Sequence, residues 1–215
     1  HVLVRARAGH YYQRAGGACW HPAAQRGLLS VLAAFADVVP SSFFGHHHTA
    51  STRVVSDANG VPRHVMYLSP SLTPRNPTHD PAVRLYSFDR RTGAVVNFTD
   101  YSYDLRGANA MGSISWSAEV ALHTPPLNLS SLSAAAWRDA LTRMLEHDHA
   151  PTSTRELSAD DPFLRWMSPE QCKLEVYIDS GDRRVPPLRR CKLTALCSML
   201  HIEDAPYARC LGLST

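Results

Sequence analysis

Four of the five cysteines fall late in the chain, at Cys172, Cys191, Cys197 and Cys210, and no other feature constrains the fold so strongly. So many thiols in so short a tail point to disulfide stapling and therefore to an oxidising compartment. A zinc cage is the competing use, but there is no Cys-x-x-Cys pair and only His201 lies among them. Four cysteines allow three pairings, and the sequence alone does not choose between them. Two sequons, Asn97-Phe98-Thr99 and Asn128-Leu129-Ser130, mark glycosylation candidates on the same secretory route. Asn76-Pro77-Thr78 is disqualified by its proline. The expected location is secreted or lysosomal.

The 215 residues, 44% of them apolar and 19% charged, suffice for a globular domain with a sizeable core. The first residue is His1, so a processed or truncated product is expected. The longest apolar candidate for a span, Leu28 to Val39, is short and interrupted by Asp37, so no transmembrane segment is expected. A net charge of +3, with basic residues scattered and no aromatic stacking pattern beside them, argues against a nucleic-acid partner. Twelve histidines would protonate below about pH 6.5, which favours contact with anionic membrane surfaces in an acidic compartment.

Along the chain, Val2-Leu3-Val4 reads as a short buried strand. Helical spacing over Gln25 to Asp37 places Leu28, Leu29, Leu32 and Phe35 on one side. Pro40 to Phe44 reads as a strand ending at Gly45. Thr52–Val55 and His64–Leu68 form a hairpin about the turn Asp57-Ala58-Asn59-Gly60, and Arg91-Thr92-Gly93 turns Val83–Phe88 back onto Val95–Phe98. Ser133 caps a helix carrying Trp137, Leu141, Met144 and Leu145 in one stripe. Asp160–Met167 and Leu193–Leu200 are shorter helical candidates. A β-rich region, 1–130, thus precedes a helical one, 131–215.

The chemistry concentrates in Phe43-Phe44-Gly45-His46-His47-His48. In an extended loop, a His-x-His pair projects its first and third side chains to one side, and neutral imidazole is a good ligand for zinc. Gly-His-x-His after a buried strand resembles the last ligand motif of the calcineurin-like metallophosphoesterases. The resemblance implies that His46 binds one metal and His48 the other in a two-zinc site, where a bridging hydroxide attacks phosphorus. Further segments resemble the acid-sphingomyelinase-like phosphodiesterases. These are Tyr67-Leu68-Ser69-Pro70-Ser71-Leu72-Thr73, Arg84-Leu85-Tyr86-Ser87-Phe88-Asp89, Thr99-Asp100-Tyr101-Ser102-Tyr103-Asp104-Leu105, and Ala136-Trp137-Arg138 through Arg143-Met144. Cys191, Cys197 and Cys210, with five and twelve residues between them, match the spacing in that family's tail. The resemblance implies the pairs Cys172–Cys191 and Cys197–Cys210.

The fold it implies is α/β: the C-terminal portion of a metallophosphoesterase-type layered sheet, followed by a small helical disulfide-stapled domain. The activity it implies is hydrolysis of sphingomyelin to ceramide and phosphocholine, at a membrane surface. Tyr101 and Tyr103 either line a choline or acyl site or pack a sheet. The family's His-x-x-Pro-Gly motif is broken. In the register set by Gly9 and Tyr11-Tyr12, Arg5 stands where its histidine would be, and a guanidinium cannot ligate a metal. Cys19 is either a free thiol or bonded to a cysteine of the missing N-terminal half. The remaining metal ligands belong to that half, so the isolated chain is expected to be inactive. The competing reading is a non-catalytic secreted module, a degenerate relative that binds lipid surfaces.

Overall fold

The computed structural model describes residues 21–45, 48, 50–73, 80–119, 122, 127–148 and 188–212. Val2–Val4, Arg5, Cys19, His46, Asp160–Met167 and Cys172 lie outside these residues, as does the side chain of Cys191. The elements run α1 (Pro22–Ala34), β1 (Ser42–Phe44), β2 (Ser51–Ser56), β3 (Pro62–Leu68), β4 (Ala82–Phe88) and β5 (Val95–Ser102). They continue with α2 (Leu105–Met111), β6 (Ser117–Glu119), α3 (Ala134–Asp148), α4 (Leu188–Leu200) and α5 (Asp204–Cys210). Among the described residues the chain is a mixed α/β protein with two three-stranded sheets, ordered β1-β3-β2 and β4-β5-β6.

Local chemistry sets the ends of these elements. His21 caps α1 by accepting the Ala23 N–H, and Pro22 supplies a first helical residue that needs no hydrogen-bond donor. The β2–β3 hairpin closes on Asp57, whose carboxylate accepts the Asn59 and Val61 N–H groups and the Arg63 guanidinium. Gly60 takes the left-handed conformation that the turn requires, at φ 77°. Asp89 does the same for the β4–β5 turn, accepting the Arg91 and Thr92 N–H groups. The Ser133 hydroxyl accepts the Ala136 N–H at the start of α3, as the capping pattern predicts.

β2 and β3 are buried almost continuously rather than in alternation, because both faces of their sheet are covered. Val55 and Met66 pack with Leu32 of α1 and Ile202 on one side. Val54, Val65 and Tyr67 pack on the other with Trp137 and Leu141 of α3 and Leu196 and Met199 of α4. Val95 and Phe98 of the second sheet join that same core, as do Leu127, Leu129 and Leu132, so one apolar cluster runs through both sides of residue 130. Cys197 and Cys210 form a disulfide that holds α5 against α4.

Both hairpins, α1, α3 and α4 lie where the sequence puts them, with ends shifted by a few residues. α2, β6 and α5 were not legible. No buried side chain marks α2, β6 is three residues long, and Pro206 disguises the first turn of α5. Among the described residues no helix is long and apolar enough to cross a membrane.

Candidate metal centre

Among the described residues β1 lies at the edge of its sheet, paired in parallel with β3, Phe43 opposite Tyr67 and Phe44 opposite Leu68. Both strands therefore end on the same side, and the Phe44 carbonyl accepts the Ser69 N–H to close the pair there. The histidine motif leaves the end of β1 and the Ser69–Thr73 segment leaves the end of β3. Loops at the carboxyl ends of parallel strands are the usual location of chemistry in α/β sheets.

His48 is half-buried in this loop, in the left-handed region at φ 62°. Its Nδ1 lies 2.9 Å from the Thr73 carbonyl oxygen. A carbonyl can only accept, so Nδ1 carries the proton, and the lone pair of the neutral ring sits on Nε2. A hydrogen bond that fixes one imidazole nitrogen and frees the other is the usual outer support of a metal-ligating histidine. His48 therefore fits the part of a zinc ligand. Among the described residues no three His, Cys, Asp or Glu side chains gather into a metal cage. His46 lies outside those residues.

The strands on either side of the motif are held by buried polar contacts. His64, buried in β3, lies with Nε2 2.8 Å from the Ser42 hydroxyl and ties the start of β1 to the sheet. Burial holds its imidazole below the usual histidine range, with a smaller opposing pull from the Val39 backbone. At the far end of the loop, buried Arg53 donates to the Thr52 carbonyl and the Ser51 hydroxyl and pins the start of β2. The Phe43 ring stacks on Tyr67 and meets Tyr86 and Phe88 edge-on, and these rings continue through Phe98 to Trp137. The strand that carries the histidines is thus keyed into the main core.

The buried histidines give a pH prediction. His64 and His201 both lie below the ordinary value of about 6.5, chiefly through burial, with Arg138 and Arg209 adding to the effect at His201. As pH falls through 6.5 the unfolded chain takes up protons at these two positions and the folded chain does not, so the unfolded state gains. The urea midpoint should therefore fall between pH 7.5 and pH 5.5, and His64→Gln should flatten that slope. A midpoint that rises or stays level over this interval would show that neither histidine is held neutral by the fold.

Asn128 is exposed, while Asn97 is half-buried in β5 with its Oδ1 shielded. Tyr101 is half-buried on β5, and Tyr103 packs edge-on against Trp116 at 4.8 Å. The Ser42–His64 contact and the Thr73 support of His48 were not legible in the sequence. A backbone carbonyl has no residue-type signature, and Ser42 can be matched to His64 only once the β1–β3 register is known.

No family model matches the chain. Among curated proteins, acid sphingomyelinase-like phosphodiesterase 3b of Homo sapiens is 33% identical over 185 residues, covering 82% of this chain and 36% of the relative. Cyclic GMP-AMP phosphodiesterase of Homo sapiens is 23% identical over 189 residues, 86% of this chain and 38% of the relative. Sphingomyelin phosphodiesterase A of Dictyostelium discoideum is 24% identical over 186 residues, 85% of this chain and 28% of the relative. The chain spans about a third of the length of these three relatives.

Proposed function

We propose, from the premise that this chain is a relative of the acid sphingomyelinase-like phosphodiesterases, that it supplies the histidine edge of a two-zinc phosphodiesterase centre. The observation that carries this reading is the His48–Thr73 contact, which leaves Nε2 as the ligating atom at the carboxyl end of β1. His46 and His48 are the residues assigned to the metals. Bound zinc would supply an activated hydroxide and neutralise charge on the phosphoryl oxygens. The protein's part is to hold His48 in one tautomer and one position, through Thr73, the Ser42–His64 contact and the aromatic contacts of Phe43.

The substrate is a phosphodiester, the group common to what the named relatives cleave, with sphingomyelin the first candidate. The layered metallophosphoesterase sheet and the further metal ligands belong to a longer protein, and the chain alone is inactive. The Cys197–Cys210 disulfide supports a secreted or lysosomal location.

Zinc binding tests the assignment. Equilibrium dialysis followed by mass spectrometry should show zinc uptake by the chain, weakened at least about 100-fold in His46→Ala/His48→Ala. Loss of only an outer-shell partner already costs about 10–100-fold. Equal uptake by the double variant would remove the histidine motif from the metal site and favour the non-catalytic module.

A further inference from the structure

We propose that a groove at the opposite end of the first sheet binds a phosphomonoester dianion carrying a small apolar group. The groove has a volume of about 1320 Å³ and lies between α1, the Asp57–Gly60 turn, α3 and the α4–α5 corner. It opens beside Arg63 at the amino end of β3, whereas His48 lies beyond the carboxyl end. The seven-residue strand places them about 20 Å apart. The two sites are therefore separate.

The walls of the groove are of two kinds. Leu29, Ala33, Val55, Leu145, Leu200 and Ile202 line it with aliphatic carbon. Arg26, Arg138 and Arg209, from three different helices, also line it, and Arg138 and Arg209 both lie near His201. This arrangement is built into the fold. The Arg138 guanidinium donates to the Gly60 carbonyl, which ties α3 to the hairpin turn and leaves its other N–H groups for a ligand. Arg209 precedes Cys210, and the Cys197–Cys210 disulfide fixes α5 beside His201, whose N–H is held by the Cys197 carbonyl.

The acidic residues do not cancel this charge. Asp57 is committed to Arg63 and to the turn. Asp37 and Glu203 also line the groove. Among the described residues, however, Arg63–Asp57 and Arg84–Asp100 are the ion pairs, and neither involves Arg26, Arg138 or Arg209. Burial, and after it the nearby Arg138 and Arg209, disfavour the charged form of His201, in keeping with positive charge on this side of the groove. Guanidinium forks match the oxygens of a phosphoryl group, and a dianion relieves the mutual repulsion of the cations. The aliphatic wall selects a ligand with an apolar side over phosphate alone.

Equilibrium dialysis of the full chain against phenyl phosphate tests this. One equivalent should bind saturably near or below about 1 mM, with inorganic phosphate at least about 10-fold weaker. Arg138→Gln/Arg209→Gln should weaken phenyl phosphate at least about 10-fold, because each lost charge-assisted hydrogen bond costs about that factor. His46→Ala/His48→Ala should leave it unchanged, which separates this site from the histidine motif. Both arginines are exposed; if the double variant loses its helical signal, Arg209→Gln alone decides by the same threshold. Binding that survives the arginine changes, or that disappears with the histidine change, overturns the proposal. So does phenyl phosphate binding no tighter than inorganic phosphate.

Discussion

Trp137→Ala should cost about 3–5 kcal/mol, the range for truncating a fully buried aromatic side chain. Trp137 is completely buried on α3, where that helix meets both sheets and α4. Its ring lies parallel to Phe98 with centroids 6.5 Å apart. Burial pushes the Tyr67 phenol beside it in this core up to about 12, so this hydroxyl stays protonated at any working pH. Alanine would leave a cavity between layers that cannot collapse, because β-strands on two sheets would have to move towards α3 together. Small domains have only about 5–15 kcal/mol of stability in all. The denaturant midpoint, compared between wild type, Trp137→Phe and Trp137→Ala, measures this. Phenylalanine should recover most of the loss, and equal midpoints for all three would mean that α3 is not docked as described.

Asp100→Ala should be nearly as damaging, for a different reason. Arg84 and Asp100 face each other across β4 and β5 in a two-pronged pair, Nε to Oδ1 at 2.5 Å and Nη2 to Oδ2 at 2.6 Å. The Arg84 side chain is 1% exposed and its guanidinium lies 4.0 Å above the Phe98 ring. Removing the carboxylate leaves a charge in an aromatic setting with no counter-ion, a change that costs about 3–5 kcal/mol for a fully buried pair. Asp100 is 20% exposed, so water can reach the vacated space, and the lower end, about 3 kcal/mol, is expected. Arg84→Met/Asp100→Leu removes both charges and should be far milder than Asp100→Ala. If the double variant is as unstable as the single one, the packing of the stems, rather than the ion pair, holds these strands together.

That pair also shows where sequence reasoning stops. Both hairpins were legible because their turns are written locally, in Asp57 to Gly60 and in Arg91 to Gly93, and the main helix because Ser133 and the Trp137 stripe are contiguous signals. Pairing across β4 and β5 is not local. The register shifts by one residue between Ser87 and Phe88. Extending the register of the turn without that bulge would have set Arg84 opposite Thr99 instead of Asp100. A single slip of this kind reverses which face each side chain occupies. The candidate centre was legible to the same degree: the Gly-His-x-His motif is visible as residue types, whereas the Thr73 carbonyl that orients His48 lies 25 residues away and belongs to the backbone.

The conformation of His48 carries an energetic consequence of its own. A residue with a Cβ in the left-handed region is disfavoured by about 1–2 kcal/mol relative to one without. Replacement by glycine at φ 62° would relieve that penalty. His48→Gly should therefore regain part of that penalty while losing the Thr73 contact, so the position exchanges backbone strain for a fixed imidazole.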